Sequence, residues 1–214
     1  MLPITWRALQ SILILAAFTF AISVANDGSP SDTVICETTK GRLTIDVFRD
    51  WSPIGADRFL NLVKDEFFTD IAFFRSVDGF LTQFGISDKQ DQLHWHESTI
   101  QDDPNIGKGI FKNYLSFAGG GENSRSTQLF IAFEDLEFLG HEPWETAFGK
   151  VVEGQNTLDM LYKDYGDIPP FGNGPDQHEI HRLGNQYIYD NFPLTDFLLH
   201  CRIKGKMMSN AGEL

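Results

Sequence analysis

Eight short runs of branched and aromatic residues, each bounded by turn residues, limit what this chain can become more than any other feature. They cover residues 33–37, 42–48, 71–75, 80–84, 115–118, 128–133, 146–151 and 197–203. Thr38-Thr39-Lys40-Gly41 separates the first two as a hairpin signal, and Val77-Asp78-Gly79 lies between the third and fourth. Only two helices are expected. Pro53 opens one, with Phe59, Leu62, Val63 and Phe67 at helical spacing, and the other starts near Gln155 with Leu158, Leu161, Tyr162 and Tyr165 on one face. Residues 87–108 are polar and irregular, and residues 166–185 are rich in Gly and Pro, so both read as loops. No internal repeat appears. Many short strands with two helices predict a mostly β protein, a closed or nearly closed antiparallel barrel of about eight strands capped by two helices.

The two ends read differently. Arg7, an apolar core over residues 12–21 and the small residues of Ser23-Val24-Ala25 follow the order of a secretory signal peptide. The apolar run is shorter than the roughly 20 residues of a spanning helix, so cleavage after Ala25 is expected; the alternative is an uncleaved anchor over residues 8–25 that would hold the protein to a membrane. The organisation that follows is a signal peptide or anchor at 1–25, a flexible linker at 26–32, one domain at 33–205 and a flexible tail at 206–214. The expected location is the secretory pathway, either the ER lumen or outside the cell. The last residues, Ala211-Gly212-Glu213-Leu214, end like an ER-retrieval signal but lack its opening residues. In an oxidising compartment Cys36 and Cys201 can be joined; two buried free thiols are the other reading. The chain has no Asn-x-Ser/Thr sequon, so N-glycosylation is not expected.

Charge excludes one class of partner. With 30 acidic and 17 basic residues the formal net charge is −13, which repels phosphate backbones, and no basic cluster interrupts it. Nucleic acid is therefore not an expected ligand. His94 and His96 lack a third metal ligand, and His178-Glu179-Ile180-His181 lacks zinc-protease spacing, so no metal is expected. Gly119-Gly120-Gly121 precedes no Lys-Ser/Thr and is not a phosphate loop. Nineteen phenylalanines imply a core filled with rings and an apolar binding surface.

Four ordered stretches carry a resemblance. They are Thr39-Lys40-Gly41-Arg42-Leu43-Thr44-Ile45-Asp46-Val47-Phe48 with Pro53 and Phe59-Leu60-Asn61-Leu62 behind it; Phe73-Phe74-Arg75-Ser76-Val77-Asp78-Gly79-Phe80-Leu81-Thr82-Gln83-Phe84-Gly85; Leu115-Ser116-Phe117-Ala118 with Ser126-Thr127-Gln128-Leu129-Phe130-Ile131; and Phe148-Gly149-Lys150-Val151-Val152-Glu153-Gly154. Together they resemble the cyclophilins, peptidyl-prolyl cis–trans isomerases. Gly172-Asn173-Gly174-Pro175-Asp176-Gln177 and Ile100-Gln101-Asp102-Asp103-Pro104 resemble a single-domain branch common in bacteria.

The resemblance implies an enzyme that acts on proline-containing segments of client proteins, as a monomer and without a cofactor. It makes Arg75 the catalytic residue, with Gln83 holding its guanidinium. Phe80, Leu81, Phe130 and Leu139 would form the apolar pocket, the peptide would lie along Ala118 and Gly119, and Gln128 would add a polar contact. A groove that binds proline peptides with little catalysis is the alternative.

Four departures bear on this. Phe74 replaces a His, Gly119 replaces an Asn, and Phe138 replaces the Trp that contacts cyclosporin in well-known members. The stretch 140–147 is about two residues longer than usual, which places Glu145 or Thr146 where a pocket histidine stands.

Overall fold

The computed structural model describes residues 27–205. The expected signal peptide or anchor and the expected tail lie outside these residues. The described residues form nine strands: β1 Asp32–Thr38, β2 Gly41–Val47, β3 Ile71–Ala72, β4 Arg75–Val77, β5 Leu81–Phe84, β6 Tyr114–Phe117, β7 Leu129–Ala132, β8 Gly149–Glu153 and β9 Phe197–Ile203. They form one antiparallel sheet in the order β3-β9-β1-β2-β8-β6-β7-β5-β4. Its two end strands, β3 and β4, belong to one run of chain and are separated only by Phe73 and Phe74. The sheet therefore curls until both ends meet in residues 71–77, as the expected barrel requires. The ninth strand arises at this seam. The run expected as one strand pairs with β9 at Ile71 and Ala72, then changes partner and pairs with β5 from Arg75.

Alternation explains the walls. In β1 Val34 and Cys36 point inward between half-exposed neighbours, and in β2 Leu43, Ile45 and Val47 point inward, with Thr44 between them also covered. Cys36 faces Cys201 across the β1–β9 pairing, and the two are joined with an S–S distance of 2.02 Å. Phenylalanine rings fill the interior: Phe59 meets Phe68 and Phe148, Phe148 meets Phe117, and Phe84 meets Phe68 and Phe73, with centroids 5.1–6.1 Å apart.

Helix α1, Pro53–Lys64, starts at Pro53 as expected and buries Phe59, Leu62 and Val63, with Phe67 buried just beyond it. Its first amides are not capped by Ser52. Asp103, from the long loop, takes the N–H groups of Ile54 and Gly55 at 2.8 and 2.9 Å and the Ser52 hydroxyl. Asp103 also pairs with Arg125 at 3.0 Å, and neither side chain touches solvent. Arg125 reaches on to the Gln101 carbonyl and to Asp102 at 3.2 Å, which ties this corner to the loop before β7.

Elsewhere the helices depart from expectation. The second expected helix is α3, Gln155–Asp159, and it stops before Tyr162 and Tyr165. The Tyr162 N–H donates instead to Asp196 at 2.8 Å, and Tyr162 and Tyr165 pack edge to face beyond the helix end. The loop expected over 87–108 holds the short helix α2, Leu93–Glu97. The loop expected over 166–185 ends in α4, Gln177–Leu183, capped by Asp176 and burying Ile180; α5, Asn185–Asn191, follows after Gly184 at φ +65°. Gly and Pro dominate only the first part of that stretch, and the helical pattern after Pro175 was masked by them.

The stretch read as a flexible linker is held to the barrel at its start. Asp27 accepts bonds from Lys150 at 2.7 Å, Lys108 at 2.9 Å and Tyr114 at 3.0 Å, and its carbonyl takes the Trp51 indole N–H. Burial alone would raise the Asp27 carboxyl, but the bonds from Lys150, Lys108 and Tyr114 outweigh it and hold it at about 2. No helix among the described residues is long and apolar enough to cross a membrane.

Candidate active site

The β4–β5 hairpin sets the site. Arg75 and Gln83 are direct partners across it, so period-two alternation sends both side chains to one face. Arg75 Nη1 donates to Gln83 Oε1 at 3.1 Å, and Gln83 Nε2 donates to Gln128 Oε1 at 2.8 Å. The guanidinium carbon lies 5.3 Å from the centroid of Phe80, at the turn of the same hairpin. Phe130 on β7 is the register partner of Gln83 on the other side of β5 and is buried.

These elements surround a cleft of about 240 Å³ lined by Arg75, Phe80, Leu81, Gln83, Ala118, Gly119, Phe130, Leu139 and Glu145, together with Phe117, Ile168 and Gln177. Every residue expected at the site lies in its wall except Gln128 and Phe138. The side-chain carbonyl of Gln128 is taken by Gln83, so it stands behind the wall and orients Gln83. Phe138 is 66% exposed and packs on Phe80, with centroids 5.7 Å apart; it extends the ring surface outside the cleft.

Two departures prove to be one. A Cβ built on Gly119 would lie 3.0 Å from the Trp144 Cβ, so the missing side chain at 119 leaves room for the Trp of the lengthened rim. In that rim Glu145 turns its Oε2 back to the amides of Gly140, His141 and Glu142 at 2.9–3.4 Å. The carboxylate borders the cleft but closes its own loop.

Sequence reasoning missed a further group. Asp167, from the loop before α4, meets Arg75 twice: Nε donates to Oδ1 at 2.7 Å and Nη2 to Oδ2 at 3.2 Å. Ile168 and Gln177 reach the cleft from the same segment. The available signal was Gly172-Asn173-Gly174, since a Cβ at Gly172 would sit 2.2 Å from the Asp167 carbonyl oxygen. Such crowding marks a loop folded tightly on itself.

The histidines form no metal site. His96 meets His181 edge to face at 5.0 Å, and burial, with repulsion from His181, pushes its imidazole below the usual range. No group of three potential ligands converges among the described residues.

The family model of cyclophilin-type peptidyl-prolyl cis–trans isomerases/CLD matches residues 33–181. The chain belongs to the cyclophilin family. Among curated cyclophilins, the peptidyl-prolyl cis-trans isomerase-like 3 of Dictyostelium discoideum is 26% identical over 143 residues, covering 64% of this chain and 88% of the relative. A peptidyl-prolyl cis-trans isomerase of Helicobacter pylori is 29% identical over 137 residues, covering 62% of this chain and 80% of its own length. In three dimensions, a Cryptosporidium parvum cyclophilin crystallised in the presence of the dipeptide Ala-Pro superposes with a TM-score of 0.59 at 18% identity, over 81% of this chain and 99% of that one. The reaction of the cyclophilin family is peptidyl-prolyl isomerisation.

Proposed function

We propose that this cyclophilin isomerises prolyl bonds in polypeptides of the secretory pathway, with Arg75 acting on the twisted amide. The single observation that carries the reading is the Arg75 guanidinium, fixed between Gln83 and the Phe80 ring on the wall of a cleft that Leu81, Phe130 and Leu139 also line. Rotation about an X–Pro bond faces a barrier of about 18–20 kcal/mol because amide resonance must be broken. As the amide twists, the proline nitrogen becomes pyramidal and exposes a lone pair absent from both planar states. A cation aimed at that nitrogen therefore favours the transition state over either ground state. No bond to a leaving group is cut, so neither nucleophile nor metal is required. Phe80, Leu81, Phe130 and Leu139 would take the proline ring, while the chain runs past Ala118 and Gly119. The low dielectric of such a pocket strengthens the cation–lone pair contact.

A second reading, a groove that binds proline peptides without useful turnover, rests on the altered rim. The inward fold of Glu145 weighs against it, because three amides hold that carboxylate to its own loop, and the ion-pair partner of Arg75 is Asp167 instead. A protease-coupled prolyl-peptide assay separates the two: wild type should exceed the uncatalysed rate, and Arg75→Ala should lose about 10- to 100-fold of it, as expected for one charge-assisted hydrogen bond. Equal rates for wild type, the variant and buffer would establish the binding module.

The secretory reading is supported by the leader-like residues 1–25 and by Cys36–Cys201, a bond that persists in oxidising compartments. Intact mass of the protein recovered from a secretory host tests it, with cleavage after Ala25 expected and a retained leader pointing to the anchor.

A further inference from the structure

Resting on Arg75 as the catalytic residue, we propose that Asp167 is a positioning residue that selects which edge of the guanidinium faces the prolyl amide. Arginine carries five N–H donors in one plane: one on Nε and two on each Nη. Asp167 takes the Nε–H and one Nη2–H, a bidentate grip along one edge, and Gln83 takes one Nη1–H. What remains is one N–H on Nη1 and one on Nη2. In a planar fork gripped at the Nε edge these belong to the opposite end, so the substrate is addressed by the far tip of the group. Phe80 supports one ring-stacked face of the same plane. Without the carboxylate, Gln83 alone would leave the guanidinium free to swivel about its bond to Cδ.

The grip is itself built in advance. Asp167 Oδ1 accepts the Ile168 N–H at 2.7 Å, the Asp167 carbonyl accepts the Gly174 N–H at 2.9 Å, and Gly166 bridges to Ser76, the residue next to Arg75. Gly172 lies against the Asp167 backbone so closely that no side chain fits. The loop thus presents its carboxylate to the strand it already touches, and the pair is only 18% and 23% exposed. Orientation of this kind is realised in the twisted state, so it should appear in kcat and leave KM nearly unchanged.

The test compares wild type, Asp167→Ala, Asp167→Asn, Asp167→Glu, Arg75→Ala and the double variant Arg75→Ala/Asp167→Ala by kcat and KM on a prolyl peptide. The Arg75 Nε–H resonance is followed by NMR alongside. Asp167→Ala is expected to lower kcat about tenfold with KM held, and Asp167→Asn to lower it less. Asp167→Glu should recover part of the loss, and the effect should vanish in the Arg75→Ala background. The Nε–H signal, slow to exchange in wild type, should exchange rapidly in Asp167→Ala. Unchanged or increased kcat in Asp167→Ala, with wild type active, overturns this proposal alone. A loss of equal size with and without Arg75 does so too, since it reports damage to the loop. A wild-type rate equal to buffer overturns the isomerase reading together with this one.

Discussion

Arg75 shows how little freedom a charged side chain keeps when three neighbours share it. Gln83 holds Nη1, Asp167 holds Nε and Nη2, and Phe80 lies under the plane. Each contact alone is worth little at a surface, but together they fix a geometry that catalysis can use. Phe138 is the counterpart with few constraints, an exposed ring leaning on Phe80. It carries no indole N–H to offer a cyclic peptide, so cyclosporin should inhibit this protein only weakly. Phe138→Trp should tighten inhibition by about tenfold or more, as aromatic anchors at binding surfaces do; no change in the inhibition constant would show that the ring at 138 does not reach the drug. The hairpin made most of this site readable, because Arg75, Phe80, Leu81 and Gln83 sit within nine consecutive residues. Asp167 was out of reach for the opposite reason: it lies 92 residues from Arg75 in the chain, and nothing local marks its partner.

Among the elements, α1 divides what can be read from what cannot. Its start at Pro53 and its buried face follow from local rules. Its cap does not, since Asp103 comes from a loop that reads as polar and irregular. The same carboxylate pairs with the fully buried Arg125, so Asp103→Ala removes a helix cap and, at once, one of the two carboxylates that neutralise that cation. The expected loss is about 3–5 kcal/mol, measurable as a lower urea midpoint with an unchanged slope. A loss below about 1 kcal/mol would mean that water reaches Arg125 when the carboxylate is gone. The short helices α4 and α5 were missed because the Gly- and Pro-rich start of their segment set its character, while Ile180 and Ile188, which they bury, are too widely spaced to show a pattern.

For the whole molecule, the two ends of the described residues are secured by different forces. The disulfide between Cys36 and Cys201 ties β1 to β9, and Asp27 pins the segment ahead of β1 to Lys108, Lys150 and Tyr114. A carboxyl held at about 2 when folded, against about 3.9 in an open chain, contributes stability that is complete above pH 4 and fades as pH falls toward 2. Acid unfolding should therefore show a step of about 2 kcal/mol over that window, and Asp27→Asn should abolish it without changing stability's slope with pH above 5. If the two proteins lose stability in parallel from pH 4 to 2, the latch does not form in solution.

At the seam of residues 71–77 the two edge strands are only two and three residues long. An unpaired rim of sheet invites other backbones to pair with it and stay. Here the stave that begins the wall also finishes it, and even Ser76 has its outward side taken by Gly166. The wall thus offers a passing backbone little ribbon to zip onto.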